Sequence, residues 1–226
     1  MNSKAQASGT LTTKVMPRYP STDLSIEQLD SLSKPSLSVP EIVSEWRISN
    51  RENFDRGFDM VRSARKHNIP HFYGRLWVSH FPKDEDTIHY GLASLRVVTT
   101  AGVDYIVRCF RGDAAEPENM KYHGIGTDNT TEDISDTALQ SELSTQYDPE
   151  NLRDDGDQTT GATDNIYRTV GVNQVKAGVA IVEHGIFDQA GIGGGTLLDR
   201  SVFATITLAN GDSLQTTYDL TFSSGG

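Results

Sequence analysis

Four residues in the last third of the chain are of the types that build a nucleophilic site. Glu183-His184 supplies a carboxylate beside a base, and Asp199 with Ser201 supplies a carboxylate and a hydroxyl. No G-x-S-x-G elbow accompanies them, and Ser201 opens a strand-like run. The reading is structural: Glu183 and His184 sit at a strand kink and make hydrogen bonds there, and Asp199-Arg200 pairs with neighbouring strands. Gly191 to Gly195 reads G-I-G-G-G, but Thr196 stands where a third spaced glycine would be, no lysine follows, and a strand pattern comes next. A flexible loop is expected. Asp154, Asp155 and Asp157 around Gly156 resemble part of a calcium loop, yet the D-x-D-x-D-G spacing is missed and no glutamate closes it. The histidines are His67, His71, His80, His89, His123 and His184; none pairs at zinc-binding spacing on a credible helix, and Cys109 stands alone. Cys109, between Val107 and Phe110, reads as a buried packing residue. No catalytic, cofactor-binding or metal-binding residue is assigned, and a non-enzymatic protein is expected.

These residues must be held by elements, and the pattern divides the chain in three. Residues 1–40 are polar, punctuated by Pro17, Pro20, Pro35 and Pro40, and read as an extended N-terminal arm. Ser25-x-x-Gln28 has capping-box spacing and allows a short helix from Ser25 to Ser33. Residues 41–90 form a helix-containing linking region. Ser49-x-x-Glu52 also has capping spacing, and Phe54, Phe58 and Val61 share a face, which predicts a helix from Arg51 to Lys66. Phe72 to Phe81 and His89 to Thr99 read as strands.

Residues 91–226 read as a β-rich assembly domain. The 100–112 segment fits helix or strand, and its spacing leans to helix. Met120 to Thr127 is a strand, Ile134 to Leu143 a short helical turn, and Asp148 to Asp157 a solvated acidic loop. Ile166 to Val172 and Val179 to Phe187 are strands. Val202 to Leu208 and Leu214 to Phe222 alternate on either side of Asn210-Gly211, the pair favoured in a two-residue type I′ turn, which predicts a hairpin. The fold class is mainly β: an antiparallel sandwich or barrel, jelly-roll-like, with the arm and one or two short helices.

The totals bound the function. With 20 Lys and Arg against 31 Asp and Glu, a net charge of −11 argues against nucleic acid and anionic membranes as partners. No apolar run reaches the ~18 residues that span a bilayer. A single cysteine excludes an intrachain disulfide and suits synthesis in a reducing cytoplasm.

Several stretches occur in an order that is specific as a set: GLASLRVVTT from Gly91 to Thr100, KYHGIGT from Lys121, DTALQSEL from Asp136, IYRTV from Ile166, IVEHGIF from Ile181, GTLLDRSVF from Gly195, and Asn210 to Gly226 ending LTFSSGG. Over residues 91–226 the chain resembles structural proteins of tailed-bacteriophage virions. That resemblance implies a capsid cement (decoration) protein, on the capsid surface, binding the major capsid protein and its own copies as a homotrimer. It implies no active site. A tail, baseplate or fibre-attachment protein is the alternative, and a carbohydrate-binding β-sandwich a lesser one. The latter needs an exposed aromatic platform, whereas Trp46 and Trp77 both lie before residue 91.

Overall fold

The computed structural model describes residues 24–113, 116–160 and 163–224. Among these, ten strands form two antiparallel sheets. The larger runs β2 (Ile88–Val97), β1 (His71–Phe81), β10 (Ser213–Ser223), β7 (Ile166–Val175) and β4 (Tyr147–Asp148), with β6 (Asp157–Thr160) also on β7. The smaller runs β5 (Asp154–Asp155), β3 (Tyr122–Gly126), β8 (Val179–Phe187) and β9 (Leu197–Leu208). Leu76, Val78 and Leu214 of the larger sheet pack against Ile125, Ile181, Phe203 and Ile206 of the smaller. The mainly β class and the sandwich stand. The barrel does not, because the two sheets share no ladder.

Three helices accompany the sheets, and one is long. α1 (Ile26–Ser33) begins with the expected capping box: Ser25 Oγ accepts from Gln28 N at 3.2 Å, and Gln28 Oε1 accepts from Ser25 N at 2.8 Å. The extended arm expected over 1–40 lies, for residues 1–23, outside the described residues. α2 runs over Glu41–Lys66, ten residues longer at its start than predicted. Ser49 does not cap it; its hydroxyl donates to Glu45 O, one turn back inside the helix. The stripe Val43, Trp46, Asn50, Phe54, Phe58 and Val61 is buried without a break. Asn50 hides this stripe from a hydrophobic count. α3 (Thr100–Arg111) settles the ambiguous segment as helix.

α2 also explains how the sandwich closes on one side. β2 and β9 are the edge strands of their sheets, and edge strands invite pairing with other chains. Asn50 Nδ2 donates to Ala93 O at 2.7 Å, and Asn50 Oδ1 accepts from Ala204 N at 2.8 Å. Trp46 Nε1 donates to Ala204 O at 2.8 Å. One amide thus bridges both edges. Gly57 permits the close seat: a Cβ there would fall 1.5 Å from Leu95 O.

Three further expectations are corrected. The Asn210-Gly211 hairpin does not form, since β9 pairs with β8 whereas β10 pairs with β1 and β7. The turn carries the chain from one sheet to the other. Asp212 N donates to Ala209 O at 3.1 Å, and only the second central residue, Gly211, has positive φ, +91°. That is type II geometry rather than I′. Alternation in both strands reflects two inward faces of a sandwich, which a hairpin pattern cannot be told from. Ile134 to Leu143 makes no helix, because the N–H groups of Gln140 and Ser141 donate to the Glu183 carboxylate instead of to a preceding turn. Asp148 to Asp157 is not simply solvated: it contributes β5, and Arg153 within it is buried.

Candidate functional site

Strand parity carries His123, His184, Asp199 and Ser201 inward, together with Thr169 and Thr216. All six are buried, none more than 2 % exposed. His123 Nδ1 lies 3.0 Å from His184 Nε2 and 2.8 Å from Thr216 Oγ1, and its Nε2 lies 3.2 Å from Thr169 Oγ1. Both rings are held neutral: burial pushes His184 down to about 3, and burial with the neighbouring ring pushes His123 well below its ordinary value. Asp199 accepts from Tyr218 Oη at 3.2 Å and from Ser201 Oγ at 3.4 Å. Burial raises its carboxyl to about 7, against the pull of Arg96.

Asp199 and Ser201 therefore meet, but His184 turns to His123 rather than to the serine. A nucleophilic site also needs a path for substrate, and all six of these side chains are buried. The His123–His184 pair was not visible in the sequence, for the two residues stand 61 positions apart on strands whose pairing no local spacing reveals.

Glu183, one residue away, faces out of the smaller sheet and organises the loop over it. Arg200 Nε donates to it at 2.8 Å and Ser141 N at 2.8 Å. The Gly191–Gly195 loop is tied down as well. Arg153 grips Glu142 through two nitrogens, donates to Gln189 O and Gly194 O, and lies 3.4 Å over the Phe187 ring. β9, not a helix, follows that loop. Two of the three acids are engaged internally: Asp154 accepts from Val172 N at 2.7 Å, and Asp155 pairs with Lys121, while Asp157 is exposed. The remaining histidines are scattered, His67 and His71 on nearby carbonyls, His80 on Asp212 and His89 on Ser79. Among the described residues, no three His, Cys, Asp or Glu side chains could hold a metal ion. Trp46 and Trp77 are buried, so neither offers a platform.

Beside α3 lies an open apolar feature. Thr99 caps α3 by accepting from Gly102 N at 3.0 Å, and Gly112 ends it in the left-handed conformation. Between α3 and the ends of β7 and β10 lies a cavity of about 300 Å³. Tyr105, Cys109 and Phe110 of α3 line it, with Met120, Tyr167 and Leu220 opposite. Its two hydroxyls are already committed: Tyr105 Oη donates to Glu116 O and Tyr167 Oη to Met120 O, both at 2.7 Å. Burial raises the Tyr105 phenol to about 12 and also raises the Cys109 thiol. Cys109 is half-buried on the wall rather than enclosed in the core. Phe110, which lines it, is 83 % exposed. Such a well takes an apolar group and offers it no polar partner. Comparison with family models, curated proteins and solved structures finds no match for this chain.

Proposed function

We propose that the chain is a non-enzymatic structural protein of a tailed-phage virion. It is a capsid cement protein that binds the outer shell and staples neighbouring capsid subunits. The observation that carries this reading is the pairing of sealed chemistry with an open apolar well. The His, Asp and Ser groups are buried with their partners, while Phe110 stands 83 % exposed beside a cavity without free polar groups. A surface of that kind serves assembly rather than turnover. The ordered stretches from Gly91 onward favour a virion, and the net charge of −11 suits a protein kept on the outside, away from packaged genome. Its partners are the major capsid protein and further copies of itself, as a homotrimer.

Copy number tests this directly. Quantitative mass spectrometry of purified virions is expected to count the chain in numbers comparable with the major capsid protein. A count far lower assigns it to the tail or baseplate, and absence from virions overturns the structural role.

A further inference from the structure

α2 closes one side of the sandwich, and the acidic stretch after β4 closes the other. β4 pairs with β7 at Val175 and Gln174, and β6 pairs with it from Val170 to Tyr167. Between those two pairings the chain leaves β7 and crosses to the smaller sheet, where it forms β5 against β3. Asp154 of β5 reaches back over the gap, and its Oδ2 accepts from Val172 N at 2.7 Å. The crossing encloses a cavity of about 340 Å³, a size in the range of small-ligand sites.

The lining of this cavity accepts hydrogen bonds and offers few. Asp148, Glu150 and Asp154 supply carboxylates, and Tyr122 and Leu152 supply apolar wall. Asp148 and Glu150 are exposed, and neither side chain enters an ion pair or hydrogen bond with any described residue. Asn173, also in the lining, is 2 % exposed. Its Nδ2 donates to His123 O at 3.2 Å, while its buried Oδ1 meets no donor among the described residues. A buried acceptor left in that state pays for desolvation with no return, so it favours a ligand that donates. The cations nearby are committed elsewhere. Arg153 grips Glu142, Lys121 pairs with Asp155 at 2.9 Å, and Lys176 donates to Asn151 at 2.8 Å.

Acceptors without donors select a cation. A metal ion fits poorly, because among the described residues no three His, Cys, Asp or Glu side chains could hold one. An ammonium or guanidinium group brings several N–H donors of its own and an aliphatic stem that can lie on Tyr122 and Leu152. Two of the three carboxylates stand exposed at the mouth, which suits a cation carried in on a chain better than a free amine that must be enclosed.

We propose that the cavity between β5 and the edge of β7 is a recognition site for a basic side chain, lysine or arginine, presented by another protein. The cation meets Asp154 and donates to Asn173 Oδ1, and Asp148 with Glu150 draws it in. Binding here requires no virion role, and its test uses the free chain, so either reading can fail without the other.

Nuclear magnetic resonance titration of the isotope-labelled full chain, followed at the amides of Asp154, Val172 and Asn173, tests the site. The probes are N-acetyl-lysine methylamide and N-acetyl-arginine methylamide, whose only charge is on the side chain, with N-acetyl-norleucine methylamide as the neutral match. At low salt one or both cations are expected to shift these amides and saturate with a Kd of about 1 mM, and the neutral match to leave them in place. Asp154→Asn, which keeps an oxygen for Val172 N, should weaken binding about 10-fold. Asp148→Asn with Glu150→Gln should weaken it about 3-fold, flatten its salt dependence, and melt as wild type does, since both residues are exposed. Absence of a saturable shift with either cation, or an equal shift from the norleucine compound, overturns the proposal. Calcium that saturates the site where the capped amino acids do not makes it a metal site, and putrescine that does so makes it a free-amine site; either result also overturns recognition of a side chain.

Discussion

The interior between the sheets and the groove beside α3 are opposites. Inside, groups that prefer water are buried with partners: His123 with His184, Asp199 with Tyr218, and just outside β8, Glu183 with Arg200. At the groove, groups that avoid water are exposed without partners, Phe110 above all. Buried polar pairs add little net stability but strongly penalise any arrangement that breaks them, so they fix which structure forms. An exposed aromatic does nothing for the monomer's fold. The first region secures the molecule, and the second is available to something else.

Breaking the buried side should cost most. Glu183→Gln removes the charge that Arg200 Nε meets at 2.8 Å, and urea unfolding should show a loss of about 3 kcal/mol. A loss below about 1 kcal/mol would mean that water already reaches Arg200.

Acid should weaken the interior next. Both histidines titrate lower in the fold than in the unfolded chain, so between pH 6.5 and 5 the unfolded state binds more protons and stability falls as pH falls. Asp199 acts in the opposite sense. Its folded carboxyl holds a proton up to about 7, so its contribution is fullest at low pH and is lost as pH rises through that value. Two histidines outweigh one aspartate, and the net loss over this window is about 1.5 kcal/mol by melting. Asp199→Asn removes the opposing proton and should steepen the fall to about 3 kcal/mol. Gly211→Val, at the turn between the sheets, should cost on the order of 2 kcal/mol, since φ of +91° strains a β-branched residue. Phe110→Ser should change the melting of the monomer by less than about 0.5 kcal/mol. A larger loss there would erase the contrast.

Much of the fold could be read in advance because strands and amphipathic helices write their period into the chain. β1, β2, β7 and β8 fall where alternation and β-branched content placed them. α3 was recovered from Val103, Ile106, Val107 and Phe110, though nothing in that spacing marks Val107 and Phe110 as the residues left exposed. The start of α2 was lost because Asn50 looks like a break in the stripe, when its amide serves two strands at once. The supposed hairpin failed for a different reason. Alternation reports which way side chains point and is silent on which strand lies alongside. The site suffered similarly, since the histidine pair and the groove are both products of strands far apart in sequence. Only the identities of Glu183, His184, Asp199 and Ser201 were legible, not their neighbours.

The crossing at Asn210-Gly211 bears on how the chain comes together as it is made. It delivers β10 into the middle of the larger sheet, between β1 and β7, where His71 pairs with Ser223. Of the described strands, this inner one leaves the ribosome last. Until then β1 and β7 have no strand between them, and the edges that β10 pairs with stay open. Synthesis of the sheet is therefore not its folding: a sheet closed by its latest strand assembles slowly, over long sequence separations, and passes through its most aggregation-prone moment just before completion.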